Sequence, residues 1–341
     1  VISVPLGYYA GIGAASRAGI LFKGGNYLEA ITKVNVIAMD KTGTLTTGHF
    51  NVASVESPVM QSEEMLALMA AAERGSSHPL ATTLTSYVAA LGIDIPQADG
   101  MNEHAGHGVT ARVKGKEVMA GNARMLADAG IILPSGAGES AKGTVIYCAV
   151  DGRYAGCAIL ADTPKADAAE AVARFRELGI DNIVLLSGDR KEIVNDFAER
   201  MGINEAHGEL LPQDKAAFVE NLASTEDNNV AFVGDGMNDA PVLALSNVGI
   251  AMGGLGSDAA IESADVVIQT DAPSRIATAI RIGRTTRSIV TQNIVGAIAI
   301  KVLILVLGAM GYASLWGAVF ADVGVALLAV LNSMRIMWKR Y

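Results

Sequence analysis

The sequence is short of cysteine, has no surplus of basic charge and lacks a basic segment ahead of its first apolar run. Each shortage closes off a class. Two cysteines in 341 residues, Cys148 and Cys157, are too few for a disulfide framework. They are not spaced as Cys-x-x-Cys, so both are expected to be buried and reduced. Lys and Arg number 26 against 35 Asp and Glu, a net charge of −9, which leaves no cationic excess to neutralise phosphates and argues against a nucleic-acid partner. The uncharged first 16 residues have no basic segment before them and no small-residue cleavage site after them, so a secretory signal is not expected. No internal repeat or low-complexity tract is present.

What is abundant is apolar sequence. Hydrophobic residues make up 51% of the chain and charged residues 18%. The mean hydropathy of +0.35 is too high for a purely soluble enzyme and far too high for a disordered chain. Two runs of about 20 residues, the length that crosses a bilayer core, lie near the C-terminus. Gln292–Gly311 carries one charge, Lys301, and Leu315–Met334 carries one, Asp322. The linker is short, so a tight helical hairpin is expected, with Lys301 and Asp322 at comparable depth and able to pair. Ionisable groups at mid-span are costly and therefore functional by default. Arg281, Arg284 and Arg287 precede the pair and Arg335, Lys339 and Arg340 follow it, which places both ends in the cytoplasm. Residues 1–16 read as the cytoplasmic end of a further span, so the chain reads as a portion of something larger.

Between these segments lies a polar region of alternating strands and helices. Val34–Met39, Ile183–Leu186 and Val230–Val233 are short apolar runs, followed by Val248–Ala251 and Val266–Ile268. Helical patterns at Lys165–Leu178, Lys191–Met201 and Gln213–Ala223 separate them. This alternation predicts a parallel sheet covered on both faces. The stretch from Thr47 to Gly143 interrupts the pattern and reads as an insertion. A hairpin is expected from Val145–Val150 and Tyr154–Leu160 around Asp151-Gly152.

In open α/β sheets, ligands bind beyond the carboxyl ends of the strands. Three such ends here carry acidic loops: Asp40-Lys41-Thr42-Gly43-Thr44, Ser187-Gly188-Asp189 and Gly234-Asp235-Gly236-Met237-Asn238-Asp239. Converging carboxylates and glycine turns suit Mg²⁺, which in turn holds a phosphate. Asp40 is the candidate nucleophile, with Lys215 placed to stabilise the transferring phosphoryl group.

These loops carry a family resemblance. Asp40–Thr46, DKTGTLT, resembles the phosphorylation signature of P-type ATPases, Gly234–Pro241, GDGMNDAP, resembles their hinge and magnesium motif, and Asp162–Lys165 resembles their D-x-P-[RK] segment. The resemblance implies an α/β haloacid-dehalogenase-like (Rossmann-like) phosphorylation domain, an inserted α+β nucleotide-binding domain and a C-terminal transmembrane α-hairpin. It implies Asp40 as phosphoacceptor and Mg²⁺ held by Asp40, the Thr42 main-chain carbonyl and Asp235, with Asn238 and Asp239 in the same motif. Soluble phosphatases of the superfamily carry an acid where Thr42 stands, so the aspartyl-phosphate is expected to persist here. Within the insert, Glu73, His78, Gly106, Gly108 and Asn122 resemble the adenosine site of the heavy-metal subfamily, and Asp189 is grouped with the nucleotide ligands. Asn293, Lys301 and Asp322-x-Gly324 resemble the final spans of zinc, cadmium and lead exporters, with Asp322 toward the cation and Lys301 as counter-ion.

The division implied is 1–16 for a truncated transmembrane helix, 17–46 for a linker and first strand, and 47–143 for the nucleotide-binding insert. It continues with 144–275 for the rest of the phosphorylation domain, 276–291 for a connecting helix and 292–341 for two transmembrane helices. The expected activity is ATP-driven export of Zn²⁺, Cd²⁺ or Pb²⁺ from the cytoplasm across a plasma (inner) membrane by a multi-pass protein. Copper export and a membrane-tethered phosphatase are the alternatives.

Overall fold

The computed structural model describes residues 3–76, 78–104, 106–138, 143–236, 239–253, 258–312, 315–339 and 341. Asn238 and Arg340, both singled out above, lie outside them. The chain divides into two units, Val1–Leu45 with Lys165–Tyr341, and Thr46–Pro164.

The first unit is built on a seven-stranded sheet. In chain order its strands are β1 (Ile20–Phe22), β2 (Val36–Asp40), β9 (Asn182–Leu186), β10 (Glu205–His207), β11 (Val230–Gly234), β12 (Val248–Met252) and β13 (Val266–Ile268). The spatial order is β1-β13-β12-β11-β2-β9-β10, and every pair is parallel except β1 with β13. Strands β2, β11 and β12 are buried along their whole length, which is why they read as unbroken apolar runs. Phe175 and Phe232 are fully buried in the layers on either face, and truncating either to alanine should cost about 3–5 kcal/mol. The strand order reverses at β2, so a crevice opens where β2, β9 and β11 end.

Residues 17–46 hold the expected first strand, β2, but what precedes it is not a plain linker. They supply the edge strand β1 and the helix Gly25–Ala30 before β2. Nor is there a separate connecting helix over 276–291: one helix runs from Ser274 to Ala309, 36 residues. No proline or glycine pair interrupts the boundary at 291–292, so nothing ends the helix there. This helix and Phe320–Trp338 are each long and apolar enough to cross a membrane. Their apolar side chains face outward, with Leu305 72% and Val323 65% exposed. The N-terminal helix Ser3–Arg17 packs against both. Gly7 and Gly11 permit the approach, since a Cβ at Gly7 would meet Val290 and one at Gly11 would meet Thr286 and Leu28.

The second unit is a six-stranded antiparallel sheet. Its strands are β3 (Thr46–Glu56), β4 (Ala98–His104), β5 (Gly108–Val113), β6 (Lys116–Gly121), β7 (Thr144–Val150) and β8 (Arg153–Pro164). The order is β3-β8-β7-β6-β5-β4, and the helices Ser62–Glu73 and Pro79–Ala90 pack on it. The insertion therefore ends at Pro164 and not at 143. The hairpin β7–β8 pairs with β6 on one side and β3 on the other, and so belongs to this sheet. Cys148 and Cys157 are both free and buried, and burial pushes the Cys148 thiol up to about 12.

Candidate active site and nucleotide pocket

Asp40 is the last residue of β2, and Asp235 follows the last residue of the neighbouring β11. Register alone thus sets two carboxylates side by side at the reversal of strand order. Asp239 joins them at the start of the helix Ala240–Leu245. Ligand oxygens of Asp40, Asp235 and Asp239 all lie within 4.8 Å of one another. Asp40 is 6% exposed and Asp239 3%.

Three carboxylates that close need cationic compensation. Lys215, on the helix Pro212–Ser224, donates to Asp40 Oδ1 and lies 3.5 Å from Asp239 Oδ1. Burial opposes its charge, but Asp40 and Asp239 outweigh that and raise its pKa, so it stays protonated. Burial, and then the Asp239 carboxylate, push Asp40 up to about 7 despite Lys215. Burial and Asp239 likewise push Asp235 up to about 6. A pocket of hard oxygens whose own charges are mutually disfavoured suits a small divalent cation such as Mg²⁺.

The loop after β2 is shaped for this. Thr42 (φ −76°, ψ 128°) and Gly43 (φ 75°, ψ −21°) have the central geometry of a type II turn, which requires a positive φ at its second position. A Cβ on Gly43 would collide with the Asp235 carboxylate, so glycine lets the loop lie against it. The Thr42 side chain is exposed, and no acidic group stands in its place. Ser187 is buried at the end of β9, and its hydroxyl accepts from the Asp189 N–H at 3.2 Å. Asp189 pairs with Lys41, a contact the sequence did not suggest.

A second group of residues meets in the Thr46–Pro164 unit. Glu73, His78, Gly106, Gly108 and Asn122 all line one cavity of about 240 Å³, together with Glu103, His107 and Ile146. His78 precedes the helix Pro79–Ala90, and its Nδ1 accepts from the Leu80 N–H at 3.2 Å. The Asn122 Oδ1 accepts from the Met125 N–H at 2.9 Å, while its Nδ2 donates to the Gly106 carbonyl at 3.0 Å. Asn122 is thereby both a helix cap and a clamp on the glycine loop. Gly108 (φ 143°) lies against Ala120 and Gly121, with no room for a Cβ. Glu73 is buried at the cavity wall, and burial, then Glu103, push it up to about 7. Among the described residues, the Glu103, His104 and His107 side chains form no metal-holding group.

In the apolar helices, Lys301 Nζ lies 2.9 Å from Asp322 Oδ1. Asp322 sits in a widened turn, Phe320–Gly324, of the kind often found at functional positions. Gly324 faces the Phe320 ring, where a Cβ would clash. Asn293 lies about two helical turns before Lys301. It is buried, donating to the Ala329 carbonyl and the Ser333 hydroxyl at 3.0 Å and accepting from Asn332 at 2.8 Å.

Two site residues escaped the sequence reading. Lys165 was legible only as the end of the D-x-P-[RK] segment, yet its Nζ donates to the Gly43 carbonyl at 2.6 Å and to Asp271 at 2.8 Å. Asp271 lies outside every motif and gave no signal.

The profile of haloacid dehalogenase-like hydrolases matches residues 34–247. The chain is 48% identical over 341 residues to a cadmium, zinc and cobalt-transporting ATPase of Bacillus subtilis (strain 168), covering 99% of this chain and 48% of that protein. It is 48% identical over 338 residues to a zinc-transporting ATPase of Synechocystis sp., covering 98% and 46%. Among solved structures it is similar to a zinc-transporting PIB-type ATPase in its E2.Pi state, with a TM-score of 0.88 and 34% identity over 98% of this chain and 55% of that one. The chain spans about half the length of the curated relatives it matches.

Proposed function

The chain belongs to the haloacid dehalogenase-like hydrolases, and we propose that it is the catalytic and C-terminal membrane portion of a heavy-metal P-type ATPase, an ATP-driven exporter of Zn²⁺ and Cd²⁺. The observation that carries this reading is the cluster of Asp40, Asp235 and Asp239, with Lys215 between the two buried ones, Asp40 and Asp239. Close relatives named for zinc and cadmium transport support the cation class. Pb²⁺, softer still, belongs to the same proposal.

In this reading the adenosine of ATP occupies the cavity of Glu73, His78, Gly106, Gly108 and Asn122, and Asp189 is grouped with the nucleotide ligands. An Asp40 carboxylate oxygen attacks the γ-phosphorus. The bond to the β–γ bridging oxygen breaks, ADP leaves, and an acyl phosphate forms on Asp40. Lys215 stabilises charge on the phosphoryl oxygens, and its attraction also keeps Asp40 more ionised than burial alone allows. Mg²⁺, held by Asp40, the Thr42 carbonyl and Asp235, supplies further neutralisation of that charge. Thr42 has no carboxylate with which to activate water, so hydrolysis of the acyl phosphate waits on something outside this loop. That delay gives time for coupling to transport, for which the Lys301–Asp322 pair is the proposed intramembrane element. Lys301 holds Asp322 when no cation is present and releases it when one arrives. Two membrane spans with cytoplasmic catalytic units, in a multi-pass protein of the plasma (inner) membrane, complete the reading.

The test is incubation with [γ-³²P]ATP and Mg²⁺. Acid-stable, hydroxylamine-labile label that Asp40→Asn abolishes is expected. Phosphate release without a trapped phosphoenzyme would instead point to a phosphatase.

A further inference from the structure

Lys165 grips the reaction loop at two points. Its main-chain N–H donates to the Leu45 carbonyl at 2.9 Å, and its Nζ donates to the Gly43 carbonyl at 2.6 Å. The first of those carbonyls closes the Thr42–Gly43 turn, and Gly43 is the residue on which the Asp235 carboxylate rests. The ammonium group is nearly out of solvent, with a side chain only 6% exposed. A buried ammonium with carbonyl partners alone is costly, and its geometry holds only if a counter-charge fixes it. Asp271 supplies that charge at 2.8 Å, from a side chain 32% exposed.

The backbone at Asp271 has been bent to deliver this contact. The residue follows β13, in the short segment before the long helix Ser274–Ala309, and has φ 54°, a conformation that few side chains tolerate and that Asp and Asn tolerate best. The same neighbourhood is tied a second time, since Asp167 Oδ2 accepts from the Ser274 N–H at 2.9 Å. The segment Lys165–Asp167 is thus clasped to the chain entering the long helix on one side and to the reaction loop on the other.

We propose that Asp271 is a positioning residue for the divalent cation, acting through Lys165 on the Gly43 carbonyl and so on the seat of Asp235. The inference rests on the reading that Asp40 and Asp235 hold that cation. In this reading Asp271 is not itself a ligand of the cation. Its carboxylate fixes the ammonium, the ammonium fixes the turn, and the turn fixes the distance between the Thr42 carbonyl and Asp235. Partners that orient metal ligands at one remove typically change metal affinity by about 10–100-fold when removed.

The experiment measures Mn²⁺ binding to the purified chain in detergent, from loss of the free-ion EPR signal, counting only the binding that Asp235→Asn abolishes. Asp271→Asn should weaken that binding about tenfold. In a Lys165→Met background the same substitution should have no further effect, because the connection it works through is gone. Thermal unfolding in chelator accompanies each variant. Should Asp271→Asn not unfold cooperatively, Asp271→Gly, which accepts the positive φ but lacks the carboxylate, must give the same shift. An unchanged Mn²⁺ dissociation constant in Asp271→Asn, whatever its melting temperature, overturns the proposal, as does an equal loss with and without Lys165. Wild-type chain with no Asp235-dependent Mn²⁺ binding would overturn the cation-site reading itself and this inference with it.

Discussion

Lys215 stands between two buried carboxylates, donating to Asp40 while lying 3.5 Å from Asp239. One ammonium therefore neutralises part of the nucleophile and part of its neighbour, and removing it takes from both the cation that lies between them. Lys215→Ala should lower phosphoenzyme formation by about 10²–10³-fold, the usual effect of losing one preorganised donor at a reacting centre. Nucleotide binding in the Thr46–Pro164 unit should be unaffected. Rapid-quench labelling alongside nucleotide titration reads both.

The raised pKa of Asp40 has a pH signature. Attack requires the ionised carboxylate, and without a cation that form is gained only as pH rises through about 7. At limiting Mg²⁺, the single-turnover phosphorylation rate should therefore climb between about pH 6 and 8. Because a bound divalent cation favours the ionised form, raising Mg²⁺ should move the midpoint to lower pH. A midpoint indifferent to Mg²⁺ would sever Asp40 from the cation site.

Gly43 tests the loop geometry with one methyl group. Gly43→Ala adds a Cβ where the Asp235 carboxylate lies and forces a positive φ on alanine. The phosphoenzyme should be lost, while the unfolding temperature of the Thr46–Pro164 sheet should stay within a few degrees of wild type. Hydrogen exchange resolved by peptide separates the two effects.

The cavity proposed for the nucleotide is tested at Gly108 and Glu73. Gly108→Val has no space beside Ala120 and Gly121, and should abolish ATP binding measured by calorimetry. Glu73→Gln keeps the shape of the wall and removes a group pushed up to about 7. ATP affinity that falls with pH through about 7 in the wild type, as Glu73 ionises beside the ligand, should fall less steeply in this variant.

For the membrane pair, Lys301→Met leaves Asp322 without its partner at 2.9 Å. If the proposed transport role holds, metal-stimulated ATPase activity of the whole protein should drop at least tenfold, about 1.4 kcal/mol or more. Phosphorylation of Asp40 from inorganic phosphate, which does not require the transported ion, should survive.

The parts of this molecule that were legible in the sequence are those in which local chemistry and tertiary placement coincide. Strands β2, β9, β11, β12 and β13 stood out because burial on both faces makes a strand an apolar run. The acidic loops stood out because they end those strands. Strand β4, with the sequence ADGMNEH, is mostly exposed at the edge of its sheet, so it carries no apolar alternation to read. The hairpin β7–β8 was visible as a hairpin, but nothing local says which sheet it completes. Lys165 looked like the first residue of a helix that in fact begins at Ala168, because its side chain is engaged with Gly43 and Asp271. Asp271 itself owes its place to a partner 106 residues away, which no window of sequence contains.

The helix Ser274–Ala309 has one further consequence. At 1.5 Å per residue its 36 residues make a rod of about 54 Å, anchored at its foot by Asp167 and carrying Lys301 near its tip. A lever of that length magnifies: tilting its foot by about 5° would sweep the far end through roughly 5 Å, one full turn of a neighbouring helix. In the proposed reading, small tilts near the phosphorylation site would be carried in this way to the depth of the Lys301–Asp322 pair.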